Sequence, residues 1–190
     1  MKNKKSKAIY FVYLITFRTY ATWLHGDERL SVDPRNNVYG TPRIKSNPGL
    51  QQAMQKACKE DAFVLNGDHR NTVLQSLLKT CAYKHWRVYA AHIRTNHVHA
   101  VLQCDIAGKK AVSIIKAYAT RVLKNNYSSL SQRKNFWSER SSARPIFGPE
   151  KLPFAMHYVI EEQGPKMALY HEKSWNKLDA VASLMPFDEA

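Results

Sequence analysis

Two apolar segments separated by only two residues constrain the fold of this chain more than any other feature. Residues 87–94 (RVYAAHIR) and 97–104 (HVHAVLQC) both contain β-branched side chains, and Thr95 and Asn96 lie between them. A two-residue connection between segments of this kind predicts an antiparallel hairpin. The rest of the chain is therefore expected to build a sheet around these two strands.

Apolar residues recur at helical spacing on both sides of the hairpin. This spacing predicts one helix from 68 to about 84 and a second that begins at Asp105 or Gly108. A strand is predicted over 8–19, and a further strand pair, or a strand and a turn, over 135–147. The order β-α-β-β-α-β is typical of an α+β domain with a ferredoxin-like, split-βαβ antiparallel sheet and its helices on one face.

A third helix is predicted over 150–163, because Gly164 and Pro165 follow it and are typical of a helix end. We expect the 190 residues to form a single domain with its core over about 8–164, since a chain of this length has little room for a second core. Residues 165–190 form a C-terminal extension to which the sequence assigns no role.

Charge indicates the class of partner. The chain carries 29 Lys and Arg against 15 Asp and Glu, a formal net charge of +14. Such an excess favours a polyanion, because each phosphate that is neutralised releases condensed counterions. The longest uncharged apolar stretch, 8–17, has ten residues, whereas a membrane-spanning helix needs about 20. We therefore expect no segment that spans a membrane.

The cysteines and the N-terminus favour a cytoplasmic protein. The three cysteines are odd in number and widely spaced, and no CxxC pair occurs, so the sequence contains no disulfide framework. The basic start MKNKKSK followed by AIYFVYLITF imitates a secretory signal. Its β-branched and aromatic residues fit a buried strand better. We expect the chain to remain in a reducing cytoplasm.

The second strand of the hairpin carries two histidines, His97 and His99. Side chains at i and i+2 point to the same face of a strand, so the two imidazoles are expected about 7 Å apart at Cα. That separation is close enough for both to hold one divalent ion. An ordinary half-exposed strand can carry the same pair, so the spacing alone leaves both interpretations open.

Four segments, in order along the chain, resemble the single-tyrosine HUH transposases, the small insertion-sequence enzymes and the related REP-associated tyrosine transposases. The segment IRTNHVHAVLQ resembles their His-hydrophobic-His strand, and VYLITFRTYATWLHGDERLSVD resembles their first strand and the loop after it. Downstream, FWSERSSARPIF resembles their fourth strand and HYVIEEQG their catalytic helix. The resemblance extends over about 8–164.

The resemblance implies a metal-dependent transesterase that cleaves and rejoins single-stranded DNA. Tyr158 matches the nucleophile that attacks a phosphodiester, which leaves a 5'-phosphotyrosine and a free 3' hydroxyl. His97 and His99 match the metal ligands, and Mg²⁺ or Mn²⁺ would polarise the scissile phosphate. The alternative is a catalytically silent nucleic-acid-binding module on the same fold.

The resemblance also implies the partners. The expected ligand is single-stranded DNA, with hairpin-forming ends or repeats, and the expected assembly is a homodimer. Whether the tyrosine helix lies against the histidines of its own subunit or of the partner stays open at this point.

The third metal ligand is not fixed by the sequence. Members of such families usually supply Gln or Asn one helical turn after the tyrosine, whereas here Glu162 is at i+4 and Gln163 at i+5. On a regular helix these positions lie about 40° and about 140° from the tyrosine. Geometry therefore favours Glu162, whose anionic oxygen suits Mg²⁺ or Mn²⁺. Residue type favours Gln163, which would require a π-bulge in the helix.

Several basic and aromatic residues are candidates for contact with DNA. Two of them, Lys109 and Lys116, lie on the polar face of the second helix, which is expected to face away from the sheet and toward phosphate. Aromatic rings can stack on unpaired bases. Among the candidates are Arg18, Lys109, Lys116, Arg140 and Arg144 as phosphate contacts and Trp137 as a stacking residue.

Overall fold

The computed structural model describes residues 10–28, 46–173 and 175, in nine helices and strands and one short 3-10 turn. Most of the extension after 165 lies outside these residues. In chain order the elements are β1 (Phe11–Thr19), α1 (Pro48–Lys56), α2 (Gly67–Tyr83), β2 (Arg87–Ile93), β3 (His97–Cys104), α3 (Gly108–Asn126), the turn Ser128–Leu130, β4 (Trp137–Pro145), α4 (Lys151–Ile160) and β5 (Ala168–His171).

The five strands form one sheet in the order β4-β1-β3-β2-β5, and each neighbouring pair is antiparallel. The first four strands, with α2 and α3 between them, give the predicted β-α-β-β-α-β order and confirm the ferredoxin-like α+β fold. Strand β5 was not predicted, because four residues are too few to show a periodic pattern. It extends the sheet beyond β2.

The two faces of the sheet carry different helices. On one face α2 and α3 bury residues such as Leu77 and Ile115 against Val98 and Ala100 of β3 in the main core. On the other face α4 buries residues in a smaller core with β2 and β3, among them Val159. The predicted arrangement of helices on one face therefore holds for α2 and α3, whereas α4 covers the opposite face. Among the helices of the described residues, none combines the length and hydropathy that a bilayer crossing requires.

Gly108 allows the first turn of α3 to lie directly on the sheet. A Cβ at this position would stand 2.8 Å from the Cβ of Ala143 and 2.8 Å from Cδ1 of Tyr13. Both neighbours belong to adjacent strands, so neither can retreat without disturbing the sheet. Glycine is therefore required at this position, because the neighbouring strands leave no room for a Cβ atom.

Replacement of Gly108 by alanine should lower the free energy of unfolding by about 1–3 kcal/mol, because overpacking outweighs the gain in helix propensity. Gly67 is a matched control: it is also the first residue of a helix, and a Cβ there would meet only an Arg70 nitrogen at 3.8 Å. Gly67→Ala should leave the free energy of unfolding within about 0.5 kcal/mol of the parent or raise it. Urea denaturation measures both, and equal losses would contradict the account.

Candidate active site

His97 and His99 lie on the face of the sheet that α4 covers. Val98, which is between them, is buried in the main core on the other face, and alternate side chains of a strand point to opposite faces. Strand β1 brings Arg18 opposite His97 and Thr16 opposite His99. Residues opposite each other in antiparallel strands share a face, so the predicted pair is surrounded by polar side chains from the neighbouring strand.

Each of the two imidazoles has one nitrogen engaged by a neighbour. His97 Nδ1 is 2.6 Å from Asn96 Oδ1, and His99 Nδ1 is 2.8 Å from Thr16 Oγ1. The ring centroids are 4.8 Å apart, with the planes at 79°. When Nδ1 carries the proton and donates a hydrogen bond to the neighbouring oxygen, Nε2 keeps its lone pair. This pattern is typical of histidines that bind a metal through Nε2.

Burial keeps both histidines neutral. It lowers the pKa of His97 to about 4, an effect that the nearby Gln163 side chain opposes and the charges of Arg94 and Arg18 assist. Burial also lowers the pKa of His99 to about 3, with His97 as the next largest cause. At neutral pH the two rings are therefore uncharged, which is the state in which imidazole donates to a metal.

Tyr158 is the residue of α4 that approaches the histidine pair. Its ring centroid is 5.4 Å from that of His99, with the planes at 86°. The residue is 36% exposed, whereas Val159 and Ile160 beside it are buried in the smaller core. The neighbours thus fix the helix while the phenol remains accessible next to His99.

The chain after α4 brings Gln163 to the site and takes Glu162 away from it. The helix ends at Ile160, so the angles expected from a regular helix do not apply to either residue. Gln163 donates from Nε2 to the backbone oxygen of Tyr158 at 2.9 Å, and its side chain lies close enough to His97 to raise the pKa of that ring. Because Nε2 is used by a carbonyl, the amide oxygen is the atom left for the site. The Glu162 carboxylate lies 3.6 Å from His157 Nε2 and is half exposed.

Arg94 was missed by the sequence interpretation. It follows the last residue of β2, and its guanidinium donates to the backbone oxygen of Pro165. Gly164, the residue before that proline, has a φ of +76°, which glycine adopts without steric cost. Arg94 therefore supports the turn that returns Gln163 to the sheet, and its charge acts on both histidines.

His92 ties α4 to the sheet. The residue is fully buried and stands opposite His99 on β2. The Met167 amide donates to His92 Nε2 at 3.1 Å, so Nδ1 carries the proton and donates to the Val159 oxygen at 3.1 Å. One ring thus joins the residue next to Tyr158 to the chain beyond Gln163. A lone histidine in an apolar strand gives no sequence signal of such a role.

The predicted DNA contacts lie on different sides of the sheet. Arg144 is exposed on β4 opposite Leu14, which packs in the smaller core, so Arg144 shares the face of the histidines. Arg140 is exposed earlier on the same strand. Lys109 is exposed at the start of α3, on the face opposite the histidines. These residues do not converge on one point.

Lys116 and Trp137 both make contacts within the fold, so the predicted orientation of Lys116 was wrong. Lys116 Nζ donates to the Ser138 oxygen at 2.8 Å, and burial lowers the pKa of its amine. The Trp137 ring meets Phe17 edge-on at 5.2 Å, and its Nε1 donates to Thr120 Oγ1 at 2.9 Å. Lys116 was expected to face away from the sheet. Its long side chain instead reaches β4, because an aliphatic stem can lie along apolar surface.

The matching family model decides the family of this chain. The model described as "Transposase IS200 like" matches residues 54–162, which is more than half of the chain. The chain belongs to the IS200-like transposase family. The match includes His97, His99 and Tyr158 and confirms the resemblance stated above. No curated protein matches this transposase in sequence.

Two solved structures resemble this transposase in fold. A REP-associated tyrosine transposase bound to a REP hairpin is 12% identical, with a TM-score of 0.44 over 84% of this chain and 71% of that one. A protein from Deinococcus radiodurans R1, described as a candidate transposase, is 13% identical, with a TM-score of 0.47 over 86% of this chain and 98% of that one. These likenesses concern the fold, which the strand order establishes independently.

His92→Leu should lower the free energy of unfolding by about 2–4 kcal/mol, because the Val159 carbonyl and the Met167 amide each lose a partner in a largely buried setting. His171→Leu is the control: His171 lies exposed at the end of β5, so the change should stay within about 0.5 kcal/mol. Urea denaturation of both variants makes the comparison. A His92 variant as stable as the parent would show that this ring does not hold α4 in place.

Proposed function

We propose that this transposase is a metal-dependent single-stranded DNA transesterase, in which Tyr158 is the nucleophile and His97, His99 and Gln163 hold Mg²⁺ or Mn²⁺. The observation that carries the proposal is the 5.4 Å approach of the Tyr158 ring to His99. The tyrosine comes from a helix and the histidine from a strand on which that helix packs. The closeness of a phenol to a pair of neutral imidazoles supports the proposal that they act on one phosphate.

The donor set fits a divalent ion. It consists of two neutral imidazole nitrogens and one amide oxygen, which leaves further positions for phosphate oxygen and water. Within the described residues no group of three His, Cys, Asp or Glu side chains could hold a metal, so the amide of Gln163 is the proposed third donor. When bound, Mg²⁺ or Mn²⁺ would supply Lewis-acid polarisation of the scissile phosphate.

Tyr158 performs both transfers in this proposal. Its phenol oxygen attacks phosphorus, the bond to the 3' oxygen breaks, and the proton lost by the phenol is balanced by the one that the 3' hydroxyl gains. The 5' phosphate is then held as phosphotyrosine. For rejoining, the 3' hydroxyl of an incoming strand attacks phosphorus, the bond to Tyr158 breaks, and the phenol recovers its proton. The intermediate retains the bond energy, so no external energy source is needed.

Gln163 and two arginines orient the reacting groups. Gln163 bonds to the backbone oxygen of Tyr158 and lies close enough to His97 to affect its pKa, so it would hold the nucleophile next to the histidine pair. Arg18 and Arg94 are close enough to lower the pKa of both histidines. Their charge would favour a phosphodiester at the same place.

The proposal extends to the partner. A net charge of +14 favours a polyanion, and the exposed Arg140 and Arg144 on the edge strand β4 offer phosphate contacts beyond the site. We propose single-stranded DNA with hairpin-forming ends or repeats as the substrate. A homodimer is proposed from the family resemblance.

Gln163→Ala should weaken Mn²⁺ binding at least about tenfold, because it removes the proposed oxygen ligand and a contact of His97. Glu162→Ala is the matched control from the adjacent position, and its affinity should remain that of the parent, since its carboxylate contacts His157. Isothermal titration calorimetry of the parent and both variants measures the affinities. If only Glu162→Ala weakened binding, Glu162 would be the ligand and the proposed donor set would be wrong.

Tyr158→Phe should reduce cleavage of labelled single-stranded DNA by a factor of about 10³ or more, because it removes the nucleophilic oxygen. The ring stays beside His99, so affinity for the same DNA should not change. Tyr170→Phe, in β5, is the control and should cleave like the parent. Cleavage that persisted in Tyr158→Phe would exclude this nucleophile. DNA binding without cleavage by the parent, with either metal, would instead support the silent binding module.

A further inference from the structure

A cleft of about 350 Å³ lies beyond the end of β1. Its walls come from the segment after β1, from α1, from the connection between α1 and α2, and from the connection between β2 and β3. Asn96 belongs to the cleft and also holds His97 through its Oδ1 at 2.6 Å. Asn96 therefore links the cleft to the proposed catalytic site. The volume is within the range of about 300–1,000 Å³ that small-molecule sites occupy.

Uncharged polar groups converge on this cleft. Gln51, Gln55 and Asn96, each with a side-chain amide, line it. Neither glutamine amide makes a hydrogen bond within the part of the chain that the structure describes, and the Asn96 oxygen makes its bond to His97. Because that oxygen faces His97, the Asn96 amide nitrogen is left for the cleft. Three amides thus offer both donors and acceptors at one place.

The described walls of the cleft carry no cationic side chain that would pair with a phosphate. Among the described residues that line it, none is Lys, Arg or His. This is unusual in a chain with a net charge of +14. Leu24 and Val64 add apolar wall, and Val64 is 56% exposed. An uncharged, flat group with a polar edge is the ligand that matches amides and apolar walls together.

Helix α1 is held at the cleft although it contributes nothing to either core. None of its residues is buried. Gly26, with a φ of +90°, lies against its start, where a Cβ would stand 2.4 Å from the Asn47 oxygen and 2.7 Å from the Gln51 nitrogen. The backbone N–H of Asn47 also donates to the backbone oxygen of Gly26 at 2.9 Å. This close approach fixes the two glutamines relative to Asn96.

We propose that the cleft binds one unpaired nucleobase of the DNA, next to the phosphate that is cleaved, and reads its polar edge with Gln51, Gln55 and Asn96. Amide side chains are typical partners of base edges. The inference rests on the proposed function, since it takes the substrate to be single-stranded DNA. It adds a site at which the sequence beside the cut is selected, and a bound base would also hold Asn96 in the orientation that His97 requires.

The test measures DNA binding, so that it does not depend on cleavage. The probe is a mixed-sequence single-stranded oligonucleotide from the DNA that flanks the gene, with one abasic site moved along it a position at a time. Fluorescence anisotropy gives the affinity of the parent, of the double variant Gln51→Leu/Gln55→Leu, and of Gln52→Leu. Gln52 is a matched control, because it is exposed on the same helix and does not line the cleft.

In the parent, an abasic site at one position should weaken binding about tenfold, the size expected of one specific base contact. The double variant should bind the intact oligonucleotide about tenfold more weakly and show no further loss at that position, while Gln52→Leu matches the parent. If affinity depended on the position of the abasic site in the same way for the parent and the double variant, the proposed base site would be wrong. It would also be wrong if both bound the intact oligonucleotide with equal affinity.

Failure of the base site and failure of the proposed function give different results. If the parent shows the position-specific loss but forms no covalent complex with DNA in Mg²⁺ or Mn²⁺, the transesterase proposal fails and the base site stands. If the parent cleaves DNA and its abasic profile is flat, the base site fails and the transesterase proposal stands. If the parent binds no single-stranded DNA, both are wrong.

Discussion

The site depends on the burial of β3 on both of its faces. Val98 and Ala100 pack in the main core with α2 and α3, which by strand alternation sends His97 and His99 to the face of α4. A shift of the strand by one residue would place two imidazoles in the main core, so the register is fixed strongly. The same burial lowers the pKa of both histidines and keeps them neutral. The position and the charge state of the pair thus have one physical origin.

The tyrosine reaches this pair through contacts between the end of β2 and the chain at and after the end of α4. His92 joins the end of α4 to β2, and Arg94 holds the turn that follows Gln163. The turn itself requires Gly164, whose φ of +76° is rarely open to other residues. Each contact acts within a few residues of Tyr158. The end of α4 and the turn that follows it are therefore both attached to the end of β2.

Much of the fold could be predicted from the sequence, because the hairpin and the two long helices give clear periodic patterns. Strand β5 could not, since it has only four residues. The end of α4 also escaped prediction: apolar spacing does not show that the helix stops at Ile160, and helical angles were applied to Glu162 and Gln163 beyond it. The histidine pair follows from alternation alone. Arg94 acts through a tertiary contact with Pro165, and the cleft brings together segments that are far apart in the sequence, which no local pattern records.

The central claim is that Tyr158 becomes covalently attached to DNA. Its most direct test is peptide mapping of the parent protein after reaction with single-stranded DNA in Mg²⁺ or Mn²⁺, followed by nuclease digestion and tandem mass spectrometry. The account predicts a nucleotide attached through its 5' phosphate to the peptide that contains Tyr158, and to no other tyrosine peptide. Attachment at another residue, or DNA that is cut without any covalent intermediate, would contradict it.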